Sequence, residues 1–383
     1  PEDFAFYERI NVPPPTWCSE CRLVRRIIFR NEHILYKRKD SRTGELIFST
    51  ISESAPVKVY EKNYWWSDNW NPLDYGRDYD WNKPFFKQLQ ELWREVPWFS
   101  RSVLNLVNSD YCDNAAELRN CYLIFASDYN EDCAYGVFLN RSKDSFDNCQ
   151  LHSSELCYQC FMVQRSYRVF FSSYCENCQD IYFSKNLANC QNCFACSNLR
   201  NKKYHIFNKP YSKEEYSRRL KEFDNGSYQN TQEFQQKAQD FWLRFPHKFI
   251  HGIKNVDVTG NYINYSKRVF DSFIVKEAED CRYCYGFTMG QVKDCYDYSI
   301  WGENAELIYE VCQGGRWISR LKFCLLCYPN CRELEYCLMC GSSSNLFGCV
   351  GLRHKQYCIL NKQYTKEEYE RLVPKIIEHM NKM

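Results

Sequence analysis

Thiols are the side chains in this sequence whose types and spacing could do the most specific chemistry. Cys18 and Cys21 stand in a C-x2-C spacing, which is usual for two of the four ligands of a structural zinc site. Two ligands do not close such a site, so the pattern predicts half of one. The sequence begins at Pro1 and not at Met, and we expect the missing pair upstream of Pro1 or a different ligand in its place. The alternative is an exposed C-x2-C pair that holds no metal.

Further C-x2-C pairs begin at Cys157, Cys175, Cys190, Cys193, Cys281, Cys324 and Cys337. Zinc knuckles are one interpretation of this spacing. The other is core packing, because ten of the eleven cysteines between residues 112 and 199 share one reading frame of three, which generates the spacing without any metal. We favour core packing for residues 112–199. The argument does not extend to Cys281 and Cys284, which lie outside the frame.

The frame of three predicts the architecture that must position these residues. Every third residue from Cys112 to Leu199 is small or aliphatic, and the segment stacks in rows of twelve that start at Cys121 and Cys133. Helices bury residues at a spacing of 3.6 and flat strands at a spacing of 2, so neither fits. A narrow β-solenoid of 12-residue coils does fit. We therefore predict a mainly β fold with a right-handed type of β-solenoid, whose core is filled by Cys acting as a compact hydrophobe.

The second half of the chain repeats the first at an offset of 153 residues. Leu199–Tyr216 and Leu352–Tyr369 are identical at 12 of 18 positions. Each copy then runs into a capping box, Ser212 with Glu215 and Thr365 with Glu368, which predicts a helical cap. We also expect helices over residues 83–96 and 232–245, a kink or stop near Pro374, and bulges in the less regular segment before Cys331.

These patterns predict six consecutive parts of the chain. They are a zinc-ribbon-like basic module (1–60), a Trp-rich connector and helix (61–107), a first β-solenoid (108–211), a helical cap and linker (212–252), a second β-solenoid (253–364) and a C-terminal helix (365–383).

A run of cations follows the first cysteine pair. It consists of Arg22, Arg25, Arg26, Arg30, Lys37, Arg38 and Lys39. Guanidinium groups on a rigid zinc module could hold phosphates, which makes nucleic-acid binding one hypothesis. The formal net charge of the whole chain is only +2, and charge runs are usually solvated. The alternative is pairing within the chain with the acidic segment 68–80.

Position 2 of successive coils predicts an outward column of aromatic rings. Its members are Tyr122, Phe146, Tyr158, Phe170, Tyr182 and Phe194. Rings about 4.8 Å apart could stack bases or sugars. A continuous apolar stripe more often buries a neighbouring element or a second subunit, and we favour that role.

The N-terminal segment resembles a known family. Phe6–Arg26, FYERINVPPPTWCSECRLVRR, is similar to the second half of a small zinc-ribbon family, with Tyr7, Pro15 and Arg22 matching beside the two cysteines. The resemblance implies zinc at Cys18 and Cys21, although the first CxxC of the family pattern is absent. With RNEHILYKRK, WWSDNWNPLDYGRDYDW and the cysteine coils, the whole chain resembles a cysteine-rich protein group of candidate-phyla-radiation bacteria. That resemblance implies a bacterial source and no particular activity.

Catalysis has little support in the sequence, because the seven histidines show no recognisable spacing with Cys or carboxylates and no phosphate-binding glycine loop is present. Cys190 with Cys196, and Cys331 with Cys337, could bridge a coil, but cysteines in a repeat frame favour mainly reduced thiols. Together with the lack of a signal-peptide pattern, this predicts a cytoplasmic protein. We therefore predict a non-catalytic scaffold or binding protein that engages a macromolecular partner or itself. The alternative is a nucleic-acid-binding protein that uses the cation run and the aromatic column.

Overall fold

The computed structural model describes residues 2–9, 12–31, 33–223, 226–286, 299, 310–312, 323–325 and 332–382. The fold is mainly β, and its dominant feature is a sheet of 15 strands in which all pairs but the last are parallel. The predicted mainly β class is therefore confirmed. None of the helices in these ranges is both long and apolar enough to span a membrane.

The helices are α1 (Glu2–Arg9), α2 (Ser19–Ile27), α3 (Lys62–Trp66), α4 (Phe85–Glu95), α5 (Lys213–Phe223), α6 (Tyr228–Trp242) and α7 (Lys366–Lys382), with one 3-10 turn at Pro72–Tyr75. The first strands are β1 (Tyr36–Lys39), β2 (Leu46–Ser49), β3 (Val59–Tyr60) and β4 (Trp98–Phe99).

The 15-stranded sheet, which we name the first stack, consists of β5 (Val103–Val107), β6 (Asp113–Arg119), β7 (Tyr122–Asp128), β8 (Glu131–Asn140), β9 (Lys143–Phe146), β10 (Cys149–His152), β11 (Glu155–Tyr158), β12 (Phe161–Gln164), β13 (Tyr167–Phe170), β14 (Ser173–Glu176), β15 (Gln179–Tyr182), β16 (Lys185–Ala188), β17 (Gln191–Phe194), β18 (Lys203–Ile206) and β19 (Lys209–Pro210).

The second stack consists of β20 (Gly252–Ile253), β21 (Val256–Asn264), β22 (Lys267–Lys276), β23 (Glu279–Arg282), β24 (Glu310–Cys312), β25 (Phe323–Leu325), β26 (Arg332–Glu335), β27 (Cys337–Leu338), β28 (Ser344–Phe347), β29 (Gln356–Ile359) and β30 (Lys362–Gln363).

The first stack has a pairing register of twelve residues. Glu155 pairs with Tyr167, Tyr167 with Gln179, and Gln179 with Gln191, all in parallel ladders. Odd-numbered strands from β9 to β17 form one ladder and even-numbered strands from β10 to β16 form the other, with β8 between them. Each twelve residues of chain therefore return to hydrogen-bond beside the preceding twelve.

The backbone makes this tight path by adopting a left-handed conformation at every third residue. From Asn114 to Phe207 the third position of each triplet has φ between +45° and +59°. This region costs non-glycine residues about 1–2 kcal/mol each, and Asn and Asp tolerate it best. Asn and Asp recur at these positions, as at Asn177, Asp180 and Asn189. The remaining strain is offset by the ladders and by the buried interior.

The inward residues of the first stack are hydrogen-bonding groups as well as small apolar ones. The Ser166 hydroxyl accepts from the backbone N–H of Cys178, twelve residues later, at 3.0 Å and donates to the carbonyl of Gln164 at 2.8 Å. The Cys160 thiol similarly donates to the carbonyls of Tyr158 and Val169. Since buried backbone groups must be paired, Ser and Cys are selected here partly for their polar atoms. The expectation that Cys acts only as a compact hydrophobe was therefore incomplete.

The buried cysteines include the two that lie outside the sequence frame. Cys281 and Cys284 are 0% and 1% exposed and pack with Val269, Val275 and Cys337. The cysteines whose side chains are described are all free thiols, among them Cys190, Cys196 and Cys337. The proposed partner Cys331 lies outside the described residues, as do the side chains of Cys324 and Cys327.

The internal duplication extends to individual contacts. The Asn208 side chain accepts from the backbone N–H of Ser197 at 2.9 Å, and Asn361, at the offset of 153, accepts from Val350 at 2.7 Å. Each stack ends in a short antiparallel pair, β18 with β19 and β29 with β30. These reversals cover the edge of the last coil, which otherwise would present unpaired strand groups.

Two helices pack on each stack, but they come from different parts of the chain. In the first stack, Phe234 of α6 lies 5.6 Å from Phe194. In the second, Phe85 of α4 lies 5.1 Å from Phe347, the counterpart of Phe194 at the offset of 153. Helix α4, which follows the Trp-rich segment, therefore packs on the second stack in the same way that α6 packs on the first.

One expected helix start was wrong, and one of two alternatives at a proline does not occur. Helix α6 begins at Tyr228 after the cap Ser227, earlier than the predicted start near Thr231. Of the kink or stop expected near Pro374, the stop does not occur, because α7 continues through Pro374 to Lys382. Proline removes one backbone donor from a helix. Here Ile376 is fully buried against the second stack, and this tertiary packing holds the helix beyond Pro374.

The expected irregularity of the second copy is present in its described part. The register between β21 and β22 shifts between Val258 and Gly260. Gly260 has φ +124°, and a Cβ there would lie within 1.9 Å of the carbonyl oxygen of Ser272. Only glycine permits this close approach of two backbones, so Gly260 marks the bulge.

Candidate interaction surface

The predicted aromatic column exists as a continuous ladder. Strand pairing places Phe146 beside Tyr158, Tyr158 beside Phe170, and Phe170 beside Tyr182. Phe194 follows Tyr182, and Tyr122 leads the column through Ala134. All six predicted members therefore lie on one side of the first stack.

One end of this column is covered by the protein itself. Phe194 is 4% exposed and packs against Phe223 of α5 and Phe234 of α6. Phe183, at the next outward position, joins the same cluster. At this end the stripe buries a neighbouring element, which is the role favoured from the sequence.

The other end of the column is bare. Tyr122 and Phe146 are 44% and 46% exposed, and Tyr135 beside them is 53% exposed. A groove of about 450 Å³ opens there. Its lining comprises Tyr135, Asp144, Phe146, Asp147, Leu156, Cys157, Tyr158 and Phe170. We name this surface the aromatic groove.

Ring orientation differs along the column. Near the covered end, Phe170 and Tyr182 are parallel, with centroids 5.2 Å apart, and Phe171 and Phe183 beside them are parallel at 4.8 Å. At the exposed end, the rings of Tyr122 and Tyr135 are perpendicular, with centroids 5.7 Å apart. Aromatic surfaces of both kinds suit contact with apolar protein side chains.

The aromatic groove is bordered by carboxylates. Asp144 and Asp147 line it directly, and Asp110 lines a smaller depression next to Tyr111 and Tyr122. These carboxylates repel phosphates and attract cationic partners.

Part of the predicted cation run is used inside the fold. Arg22, Arg26 and Arg38 are 3%, 4% and 5% exposed. The Arg38 guanidinium donates to the carbonyls of Ser52 and Val57, at 2.9 and 3.2 Å, and burial lowers its pKa. The cations of the run that have solvent-accessible positions are Arg25, Arg30, Lys37 and Lys39. Asp78, in the acidic segment considered as their partner, pairs with Lys362 at 2.6 Å.

The Cys18 and Cys21 thiols are exposed at the start of α2. Cys18 is the N-cap residue, and its Sγ accepts from the backbone N–H of Cys21 at 3.4 Å. This backbone hydrogen bond lowers the pKa of Cys18, while the hydrogen bond to Cys18 raises the pKa of Cys21. Both sulfur atoms can react with solvent species, unlike the thiols of the stack interiors.

The residues around this pair do not complete a zinc site within the described part of the chain. A structural zinc site needs four ligands. Among the described residues, no group of three or more His, Cys, Asp or Glu side chains is placed to hold a metal ion. Zinc at Cys18 and Cys21 therefore stays a prediction that requires two ligands from elsewhere.

Sequence reasoning missed three residues at these surfaces. Tyr135 and Asp147 stand at position 3 of their coils, directly beside the column, and a search of that neighbouring position would have found them. Asp144 stands on the other side of the aromatic column.

Comparisons of the chain with protein-family models, with curated proteins and with solved structures gave no match.

Proposed function

We propose that this protein is a non-catalytic binding protein built on a duplicated β-solenoid of 12-residue coils, and that the aromatic groove holds a protein partner. One observation carries the proposal: the same aromatic column is buried under two helices at one end and bare at Tyr122, Tyr135 and Phe146 at the other. An exposed, contiguous apolar surface of this kind marks an interaction site.

The covered end supports the kind of partner. There the column accepts helices that insert phenylalanine side chains, and the second stack accepts Phe85 of α4 in the equivalent place. A partner helix with apolar anchors would extend the layer that α5 and α6 begin. The carboxylates Asp144 and Asp147 favour basic groups on that partner.

The proposal is tested by comparing Phe146→Asp with Gln164→Asp, a control on another strand ladder whose side chain is also exposed. Tagged versions are expressed in cells that naturally make the protein, and bound macromolecules are quantified by mass spectrometry. Partners that disappear with Phe146→Asp and remain with Gln164→Asp are expected. Identical partner sets for both variants and the wild type would refute the groove as the binding surface.

A further inference from the structure

Helix α2 directs its basic side chains toward the interior of the protein, which is the reverse of an ordinary surface helix. Arg22 and Arg26, one turn apart, are buried: the Arg26 Nε donates to the Ser299 hydroxyl at 3.0 Å, and the Arg22 guanidinium lies 5.5 Å from the centre of the Tyr283 ring. The basic face of α2 is therefore fixed on the second stack. A surface helix normally directs its apolar face inward instead.

The opposite face of α2 is apolar and exposed. Val24 is 66% exposed and Ile28, four residues later, is 75% exposed. Trp17, just before the helix, is 51% exposed. Contact with a partner would remove this apolar surface from water, which favours association.

The aromatic groove of the same chain suits this face, because its centre is also apolar and its border carries the opposite charge. Of the cations in and just after α2, Arg25 and Arg30 are solvent-accessible, whereas Arg22 and Arg26 are buried. The aromatic groove is lined by the carboxylates of Asp144 and Asp147. Oppositely charged surfaces with apolar centres favour association and fix its orientation.

The dimensions also agree. Helix α2 has nine residues and is therefore about 13 Å long. Tyr122 and Phe170 are four coils apart, about 19 Å at the spacing of hydrogen-bonded strands. The helix is therefore shorter than the part of the column that runs from the exposed Tyr122 to Phe170 in the lining of the aromatic groove.

We propose that α2 of one copy of this protein docks its Val24 and Ile28 face in the aromatic groove of a second copy. The inference rests on the proposed function, because it names the partner of the same groove. The two surfaces differ. The contact therefore either closes a twofold dimer, in which the helix of each copy lies in the groove of the other, or continues head-to-tail into rings or open chains of copies.

Sedimentation velocity of the full chain over a range of concentrations tests this, in buffer with a reductant and a chelator so that neither disulfides nor metals link copies. Ile28→Asp blocks the helix face, and Phe146→Asp blocks the groove. Gln164→Asp serves as the control, and circular dichroism checks that each variant is folded. Val24→Asp replaces Ile28→Asp if that variant fails to fold.

The wild type and the control are expected to form dimers or larger species as the concentration rises. Each blocked variant alone is expected to raise the dissociation constant at least about tenfold. A mixture of Ile28→Asp and Phe146→Asp is expected to form a dimer and nothing larger, because one intact helix face and one intact groove remain. Higher salt is expected to weaken every association.

Three results would overturn the inference: a wild type that stays monomeric, association unaffected by one of the two variants, or a mixture that forms no dimer. A monomeric wild type whose groove still retains other proteins in the cellular comparison would leave the proposed function intact. A monomeric wild type, together with identical cellular partners for the wild type, Phe146→Asp and Gln164→Asp, would refute the proposed function as well.

Discussion

At the scale of single residues, the interior of the stacks depends on side chains that are small and also able to hydrogen-bond. Small size was predictable from the sequence, since every third residue from Cys112 onward is small or aliphatic. The hydrogen bonds of Ser166 and the left-handed backbone at Asn177 were not predictable. A spacing of three identifies the inward residues but does not give the dihedral angles between them. The recurrence of Asn and Asp was the available signal for that conformation.

Ser166→Ala is expected to destabilise the first stack by about 1–3 kcal/mol, because the buried N–H of Cys178 loses its acceptor. Ser166→Cys is expected to cost less, since cysteine occupies the same inward column at Cys178 and Cys190. Native-state hydrogen exchange of the amides around Cys178 measures both free energies of opening. Equal losses for the two variants would contradict a hydrogen-bonding role of this side chain.

Thiol reactivity should separate the exposed pair from the interior. With a lowered pKa, Cys18 is more fully thiolate at neutral pH than Cys21, whose pKa is raised. Burial raises the pKa of Cys112 to about 11. In metal-free native protein we expect iodoacetamide to label Cys18 first, Cys21 more slowly and Cys112 only after unfolding, as followed by peptide mass spectrometry between pH 6 and 8. Faster labelling of Cys21 than Cys18 would contradict the assigned capping contact.

At the scale of elements, the sequence predicted the positions of most helices but not the surface on which each helix packs. The capping boxes at Ser212 and Thr365 correctly preceded α5 and α7. Nothing local to α4 shows that it covers the second stack, because that contact joins residues more than 240 positions apart. Likewise, the anchoring of α2 through its arginines depends on Tyr283 and Ser299, which no local pattern reveals.

Phe85→Ala is expected to loosen the second stack alone, because Phe85 is 2% exposed and contacts Phe347 and Tyr336. Truncation of a buried phenylalanine costs about 3–5 kcal/mol. Hydrogen exchange should rise in residues 332–363 and stay unchanged in residues 143–199. Phe86→Ala, at a neighbour that is 58% exposed, is the matched control and should have a much smaller effect. Equal exchange in both stacks would show that α4 is not specific to the second.

At the scale of the whole molecule, the two candidate functions share the aromatic column and differ in the cation run, which only the nucleic-acid hypothesis uses. The nucleic-acid hypothesis depends on Arg25, Arg30, Lys37 and Lys39, since other cations of the run are used within the fold. The scaffold proposal depends on a bare, acidic aromatic groove. Sequence reasoning identified both surfaces but could not choose between them, because the burial of Arg22, Arg26 and Arg38 depends on the tertiary structure.

Fluorescence anisotropy with labelled single-stranded RNA and duplex DNA separates these hypotheses. We expect weak binding that the Arg25, Arg30, Lys37 and Lys39 fourfold alanine variant barely changes, because the carboxylates of Asp144 and Asp147 line the groove and repel phosphates. Tight binding with a steep salt dependence, flattened by that variant, would favour nucleic acid as the ligand.

The most direct test of the central claim, that the aromatic groove holds a protein partner, is photo-crosslinking from the groove itself. A benzophenone amino acid is placed at Phe146, or at Gln164 as the control, in cells that naturally make the protein. We predict protein adducts at 146 and not at 164, and adducts to residues 17–28 of a second copy if the chain also binds itself. Equal adducts at both positions, or none at 146, would contradict the account.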